Sequence, residues 1–225
     1  MQRTWRRLDD TPFVTYILLG VTIAVFLLET LAGGSTNSFV LLRFGARWNP
    51  LIYIGQWWRL ITPMFVHIGV THIVVNAVSL FYLGSITERI FGHWRYLVIY
   101  LVSGIAGNVA SFVFNADGLA AGASTAIFGL MGAFLMLGDT YRHNPVITQL
   151  SRQFMLLAAM NLVFNLFSSG VDIFGHIGGL VGGVLIAFAV GAPQLGPTPT
   201  SRRVIGGVVL AAALVLLLGV GFGYA

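Results

Sequence analysis

GHIGGLVGG, residues 175–183, places one ionisable side chain among five glycines inside an apolar run that covers residues 172–192. A run of that length can cross the hydrocarbon core of a bilayer, which is about 30 Å thick, because a helix rises about 1.5 Å per residue. Small residues spaced four apart let membrane helices approach closely, although such rows are common in any membrane bundle. The stretch has two such rows on neighbouring stripes, Gly175, Gly179 and Gly183 on one and Gly178 and Gly182 on the other.

Composition extends this interpretation to the whole chain. Of the 225 residues, 57% are hydrophobic and 8% are charged, and the mean hydropathy is +0.88, outside the range of soluble domains. Apolar runs of spanning length recur along the chain and predict an all-α, polytopic membrane helix bundle with no separate soluble domain. Seven spans are predicted, at residues 13–33, 71–88, 95–114, 124–141, 151–168, 172–192 and 203–224.

These spans divide the chain into four parts. Residues 1–12 are predicted to form a cytoplasmic segment, and residues 13–192 a six-span core with a membrane-associated loop at 34–70. The first apolar run has no small-residue cleavage site after it, so it is interpreted as a retained span. A Pro-rich linker at 193–202 and an additional C-terminal transmembrane helix at 203–225 complete the prediction.

The orientation follows from the arginines. All twelve basic residues are Arg, and with a cytoplasmic N-terminus nine of them fall in cytoplasmic segments and three in the loop 34–70. Basic residues concentrate in short cytoplasmic loops, which predicts a cytoplasmic N-terminus and an external C-terminus. Topology therefore explains the net charge of +5 without a nucleic-acid partner. The chain has no cysteine, which excludes disulfides, thiolate metal sites and a cysteine nucleophile.

Four polar side chains from three spans are predicted to lie at the same depth. His72 and Asn76 are four residues apart on one face of the second span, Ser124 opens the fourth span, and His176 lies about one turn into the sixth. Polar groups at that depth cost free energy unless they face the bundle interior or water, which makes them functional candidates. The alternative is that His72 and Asn76 only form hydrogen bonds between helices.

This combination of residue types fits nucleophilic catalysis. A serine hydroxyl needs a base within hydrogen-bond reach, and His176 is the best-placed base for Ser124. Asp172 is predicted to be the N-cap of the sixth span, so a Ser-His dyad is expected in preference to a triad. The free N–H groups at the start of the fourth span, with His72 and Asn76, would stabilise an oxyanion.

Four segments resemble a known family. WWR at 57–59, HIGVTHIVVNAVSLFYLG at 67–84, GAST at 122–125 and GHIGG at 175–179 look like the signature segments of the rhomboid intramembrane serine proteases, in the same order and on the expected spans. The resemblance covers roughly residues 57–190. It implies a rhomboid-like six-helix core, here with a seventh helix, no cofactor and no metal, and substrates that are membrane proteins cut near a transmembrane segment. We expect a multi-pass protein of a bacterial inner membrane.

The same resemblance implies a role for individual residues. Ser124 would be the nucleophile, His176 its base, and His72 with Asn76 the oxyanion donors. Residues near the site would have structural roles: Trp58 and Arg59 in the first loop, Phe128 as an aromatic ring packing on the histidine, and Gly179 in close helix packing.

Three positions depart from the family pattern. Thr125 stands where the family usually has Gly, and its β-branch restricts the conformation next to the serine. Gly175 replaces the usual Ala before the histidine. Phe128 replaces a frequent Tyr, which keeps the aromatic packing but loses the hydroxyl.

Two other functions compete with a protease. A rhomboid-like pseudoprotease would bind transmembrane helices without cutting them, and Thr125 keeps this alternative open. A metal-dependent enzyme using His67, His72 and His176 would lack both a carboxylate ligand and regular ligand spacing. His67 is instead predicted to fix the loop before the second span, and Glu29 is expected at the membrane interface.

Overall fold

The computed structural model describes residues 11–168 and 170–223, and over these residues the chain is all-helical apart from one isolated bridge between Arg47 and Ala120. The described residues form nine α-helices: α1 (Phe13–Leu31), α2 (Ser38–Phe44), α3 (Asn49–Tyr53), α4 (Gly69–Phe91), α5 (His93–Phe114), α6 (Ser124–Thr140), α7 (Pro145–Leu166), α8 (Ile173–Val190) and α9 (Thr200–Phe222). The predicted cytoplasmic arginines Arg3, Arg6 and Arg7 lie outside the described residues.

Six of these helices, α1, α4, α5, α7, α8 and α9, are long and apolar enough to cross a membrane. The helix α6 is apolar but has only 17 residues. It is also the most enclosed helix, since most of its side chains are buried among its neighbours. Together the seven helices match the seven predicted spans, and the prediction of an all-α polytopic membrane bundle is confirmed.

The start of α7 differs from the prediction. The helix begins at Pro145, six residues before the predicted start at 151. The side chain of Asn144 accepts hydrogen bonds from the N–H groups of Val146 and Ile147 at 3.1 and 3.2 Å, and a proline is well tolerated in the first helical turn. Asn144 and Pro145 therefore form the start of α7.

Glycines bring α8 into backbone contact with α6. A Cβ atom built on Gly179 would lie 2.1 Å from the carbonyl oxygen of Thr125, and one built on Gly183 would lie 2.0 Å from that of Gly129. No side chain fits at such distances, so only glycine allows the two helices this close. The first predicted glycine row of α8 therefore faces α6.

The second glycine row of α8 faces α5. A Cβ atom on Gly178 would lie 2.4 Å from that of Ala110, and a Cβ atom on Gly182 would lie 2.5 Å from that of Ala106. The helices α5, α6 and α8 thus form a tightly packed centre, and it fixes the relative positions of the first residues of α6 and α8.

A buried carboxylate attaches α1 to α4. Glu88 accepts hydrogen bonds from the N–H groups of Val14 and Thr15 at 3.0 and 2.8 Å and from the Thr15 hydroxyl at 2.7 Å. The first N–H groups of a helix have no partner within it. Glu88 supplies that partner from the opposite end of α4 to His72.

The loop between α1 and α4 is held by a buried arginine. Arg47 donates to the side chain of Asn49 at 2.6 Å and to the carbonyl groups of Asn115 and Gly118, both at 2.9 Å. These carbonyls follow the C-terminus of α5, so the first loop and the segment before α6 are tied together directly.

Candidate active site

Ser124 is the first residue of α6, and its position is set by the chain just before it. Gly122 has φ +131°, which glycine adopts easily, and its N–H donates to the carbonyl of Pro63 at 2.8 Å. Ala123 occupies the N-cap and has no side-chain acceptor, so the N-cap residue forms no capping hydrogen bond to the N–H groups of the first turn of α6. The hydroxyl of Ser124 therefore lies beside the positive end of the helix dipole.

His176 lies one turn into α8 and reaches Ser124. Its Nε2 is 2.8 Å from the Ser124 Oγ, within hydrogen-bond distance. The histidine is buried, while Ser124 retains partial exposure. The structure thus brings the two predicted residues together, in the geometry that lets a histidine accept the serine proton.

Asp172 serves as the cap of α8, as the sequence predicts. Its Oδ1 accepts a hydrogen bond from the N–H of Gly175 at 3.1 Å, and Oδ2 accepts one from the hydroxyl of Ser111 in α5. Arg47 lies 4.0 Å from the same carboxylate. With these partners Asp172 orients the start of α8 without bonding to the His176 ring.

Phe128 holds the plane of the His176 ring. It lies one helical turn after Ser124, and the two rings are stacked with centroids 4.3 Å apart and planes at 15°. The structure places this aromatic ring on the histidine as the resemblance implies. A stacked ring restricts rotation of the imidazole away from Ser124.

A third side chain at this site is absent from the sequence prediction. The amide nitrogen of Asn165, near the end of α7, lies 2.6 Å from Nδ1 of His176. The signal that could have found it is weak, because Asn165 is one of two Asn residues in the same apolar run and lies eleven residues before the histidine. An amide at this depth is a functional candidate by the same reasoning as His72 and Asn76.

His72 lies beside the nucleophile on the α4 side. A Cβ atom built on Gly122 would lie 2.8 Å from Nε2 of His72 and 3.6 Å from the Ser124 Oγ. The Nδ1 atom of His72 accepts the N–H of Ile68 at 3.4 Å. In a neutral imidazole the other nitrogen then carries the proton, which makes Nε2–H a donor next to Ser124.

Asn76 points along its own helix. It is buried, and its Nδ2 donates to the carbonyl of His72 at 2.9 Å. This bond leaves the second N–H of the amide for another acceptor. The structure therefore shows Asn76 one turn from His72, with no recorded hydrogen bond to Ser124 or His176 among the described residues.

Behind the site, His67 and Glu29 fix the loop before α4. The N–H of His67 donates to the Glu29 carboxylate at 3.4 Å, and the N–H of Ala123 donates to Nε2 of His67 at 3.2 Å. Burial, with His72 nearby, lowers the pKa of His67 to about 4, so the ring is neutral at pH 7. The expected loop-fixing role of His67 fits this geometry. Glu29 lies near the end of α1, and its side chain is fully enclosed by protein.

Two departures from the family pattern lie in contact with each other. A Cβ atom on Gly175 would lie 3.1 Å from Cγ2 of Thr125, and one on Gly107 in α5 would lie 2.8 Å from its Cβ. The Thr125 side chain therefore occupies part of the space that the methyl group of an alanine at position 175 would need. The larger residue after the serine is accommodated by the smaller residue before the histidine.

The Trp-Arg pair lies in the first loop, in the short turn Trp57–Leu60. Trp58 is 43% exposed and its ring packs edge-on against Trp57 at 6.2 Å. Arg59 is buried and donates to the carbonyl of Ala46 at 2.7 Å and to the side chain of Gln56 at 2.8 Å. Arg59 therefore connects two parts of the loop, while Trp58 is positioned for the lipid interface.

Each of the three site histidines has a hydrogen-bond neighbour on at least one ring nitrogen. Over residues 11–168 and 170–223, no group of three or more His, Asp, Glu or Cys side chains could hold a metal ion. The Nε2 of His67 accepts from Ala123, Nδ1 of His72 accepts from Ile68, and both nitrogens of His176 have neighbours within 2.8 Å. Among the described residues, the nitrogens of these three histidines therefore do not point together as free ligands for one metal ion.

The fold and the site define a polytopic helical membrane protein with a serine and a histidine in contact at the ends of two closely packed helices. The family model described as Rhomboid domain matches residues 54–193, and the chain belongs to the rhomboid family. It is 41% identical to the rhomboid protease GluP of Bacillus subtilis over 96% of this chain and 41% of that protein.

Relatives also occur outside bacteria. The chain is 34% identical to RHOMBOID-like protein 7 of Arabidopsis thaliana over 80% of this chain and 59% of that protein. It is 30% identical to Rhomboid-like protease 3 of Toxoplasma gondii over 82% of this chain and 74% of that protein. The chain thus spans less than two thirds of the length of GluP and of RHOMBOID-like protein 7.

Proposed function

We propose that the protein is an intramembrane serine protease that hydrolyses peptide bonds in or next to the transmembrane segments of other membrane proteins. The observation that carries this proposal is the 2.8 Å contact between His176 Nε2 and Ser124 Oγ at the N-terminus of α6. Membership of the rhomboid family, with relatives named as proteases, supports it.

The reaction would proceed through an acyl-enzyme. His176 Nε2 takes the proton of Ser124 as Oγ attacks the scissile carbonyl carbon, which gives a tetrahedral intermediate with a negative oxygen. The imidazolium then donates its proton to the leaving amine, and the C–N bond breaks. A water molecule attacks the acyl-enzyme in the same way and releases the second product.

The oxyanion would be stabilised from two directions. The N–H of Ser124 at the start of α6 is one donor, and Nε2–H of His72 is the second. Asn76 would be a further donor through the second N–H of its amide, which the bond to the His72 carbonyl leaves free.

Asn76→Ala should reduce turnover about a hundredfold to a thousandfold, which is the usual effect of losing one oxyanion donor, and leave detectable activity. The kcat of the purified variant on a transmembrane reporter measures this. Asn161→Ala is the matched control, because Asn161 makes the same type of bond to the carbonyl four residues before it, at 2.8 Å, on an exposed face. Equal activity of the two variants would reduce Asn76 to a structural role, through its hydrogen bond within α4.

We also propose the orientation, the location and the domain division given by the sequence. The described arginines assigned to the cytoplasm lie near three helix connections: Arg89 and Arg95 at the α4–α5 connection, Arg142 and Arg152 around the α6–α7 connection, and Arg202 and Arg203 in the first turn of α9. This distribution supports a cytoplasmic N-terminus in a bacterial inner membrane, with residues 13–192 as the core and α9 as an addition. The partners would be the lipid bilayer and transmembrane substrates, with no nucleic acid. Protease protection of a tag at residue 225 checks the orientation.

A second candidate is a pseudoprotease that binds transmembrane helices without cleavage. Thr125 favours it, because the β-branch next to the serine restricts the backbone there. The contact between Thr125 and Gly175 favours the protease, since it accommodates the larger side chain without displacing Ser124 from His176.

Cleavage of a transmembrane reporter by the purified protein tests the proposal. Wild type in detergent should produce discrete fragments, and Ser124→Ala should produce none because it has no nucleophile. Ser201→Ala, at an exposed position in α9, is the control for loss of a serine hydroxyl. Binding of the reporter by wild type without any cleavage would contradict the protease and support the helix-binding alternative.

A further inference from the structure

The imidazole of His176 has a neighbour at each nitrogen. Nε2 lies 2.8 Å from the Ser124 hydroxyl and Nδ1 lies 2.6 Å from the side-chain amide of Asn165. Asn165 is the last residue but one of α7 and is half-buried. Hydrogen bonds at both nitrogens hold the ring in one orientation.

The chemistry of the serine decides which atom of the amide faces the ring. If Nε2 accepts the Ser124 proton, the single proton of the neutral imidazole must be on Nδ1. The oxygen and nitrogen of an amide exchange places by a rotation that heavy-atom positions do not distinguish. Only the orientation with Oδ1 towards the ring then makes a hydrogen bond, in which His176 Nδ1–H donates to Asn165.

No carboxylate is available for the same task. Asp172 and His72 are the titratable groups that act electrostatically on His176. Asp172 already accepts from Gly175 and Ser111, and His72 lies on the α4 side, next to Gly122. Asn165 alone, among the described residues, forms a hydrogen bond to Nδ1.

The position of Asn165 on α7 argues against a purely structural bond. Its neighbours on the outer turn are exposed: Val163 is 54%, Phe164 64% and Leu166 67% accessible. The main anchor of α7 lies deeper, where Phe154 packs against Phe134 with centroids 4.3 Å apart. Leu162 supplies the apolar contact of this turn and Asn165 its polar contact, and the partner of Asn165 is the proposed base.

We propose that Asn165 is a positioning residue which accepts the Nδ1–H bond of His176, fixes its tautomer and stabilises the imidazolium formed when Ser124 attacks. The proposal rests on the proposed protease function. It replaces the dyad expected from the sequence by a Ser124–His176–Asn165 arrangement drawn from three helices.

Two substitutions at 165 separate this role from packing. Asn165→Leu keeps the size of the side chain and removes the acceptor, so kcat should fall about tenfold to a hundredfold with little change in KM. Asn165→Asp keeps an acceptor and adds a negative charge, which favours the imidazolium. Its kcat/KM profile should show the acidic limb at a pH at least about one unit higher than in wild type, with activity retained above it.

Asn161→Leu, one turn earlier on α7 and exposed, is the control and should behave as wild type. Wild-type kcat in Asn165→Leu would overturn the proposal. So would an Asn165→Asp variant as inactive as the leucine variant, with no shift of the acidic limb, because loss of packing alone predicts that result.

Nitrogen-15 NMR of histidine-labelled protein gives a readout that does not depend on activity. The His176 signals, assigned by their loss in His176→Ala, should show a protonated Nδ1 in wild type and in Asn161→Leu. In Asn165→Leu the two tautomers should mix. An unchanged tautomer in Asn165→Leu would reject the role of Asn165. If the tautomer changes as expected but the wild-type protein cleaves nothing, the role of Asn165 is supported and only the protease function is contradicted.

Discussion

Replacement of Ser124 or His176 by alanine should abolish covalent labelling of the protein by a fluorophosphonate. This reagent reacts with a serine only when a base activates the hydroxyl and donors stabilise the developing charge. In serine proteases, loss of either residue lowers turnover by up to about a millionfold. Labelling followed by mass spectrometry should locate the adduct at Ser124 in wild type, and it requires no knowledge of the substrate.

The same assay distinguishes an enzyme from a pseudoprotease. Ser201→Ala should label as wild type does, because that serine lies in an exposed turn of α9 far along the chain from the site. Thr125→Gly combined with Gly175→Ala restores the usual family residues at the two positions that contact each other. Labelling of this double variant but not of wild type would identify Thr125 as an inhibitory residue and favour helix binding. Absence of labelling in both folded proteins would reject an activated serine.

The sequence predicted the elements whose signals are local or periodic. Spans appear as long apolar runs, and the glycine rows of α8 show which faces approach other helices. The match between Ser124 and His176 follows from predicted depth alone, because each lies in the first turn of its helix. The observed contact of 2.8 Å is consistent with that argument.

Other features depend on how helices are arranged around each other. Asn165 and Glu29 carry no periodic signal, and only the rotation of α7 and α1 brings them towards His176 and His67. Glu88 looks like an interfacial charge but accepts N–H groups 73 and 74 residues away along the chain. Depth can be estimated from a sequence, but the direction in which a single polar side chain points cannot.

Gly179→Ala should strongly reduce activity, although it adds only one methyl group and removes no functional group. The new Cβ atom would lie 2.1 Å from the carbonyl oxygen of Thr125, more than 1 Å closer than atoms normally approach, so α8 must move away from α6. Gly179 is three residues after His176, so the movement occurs at the contact between His176 and Ser124. A displacement of about 1 Å can cost a hundredfold in rate, and we expect at least that loss in kcat/KM on the reporter.

Two further glycines separate loss of geometry from loss of stability. Gly183→Ala makes an equivalent clash, 2.0 Å from the carbonyl oxygen of Gly129, but one turn deeper. Both variants should therefore melt at a lower temperature than wild type, since overpacking costs about 1–3 kcal/mol. For a similar decrease in melting temperature, Gly179→Ala should lose more activity than Gly183→Ala. Gly219→Ala in α9 meets nothing within 4 Å and should leave stability and activity unchanged or slightly improved. If Gly179→Ala kept wild-type activity, the distance between Ser124 and His176 would not depend on the contact between α6 and α8, and the glycine row would serve only general packing.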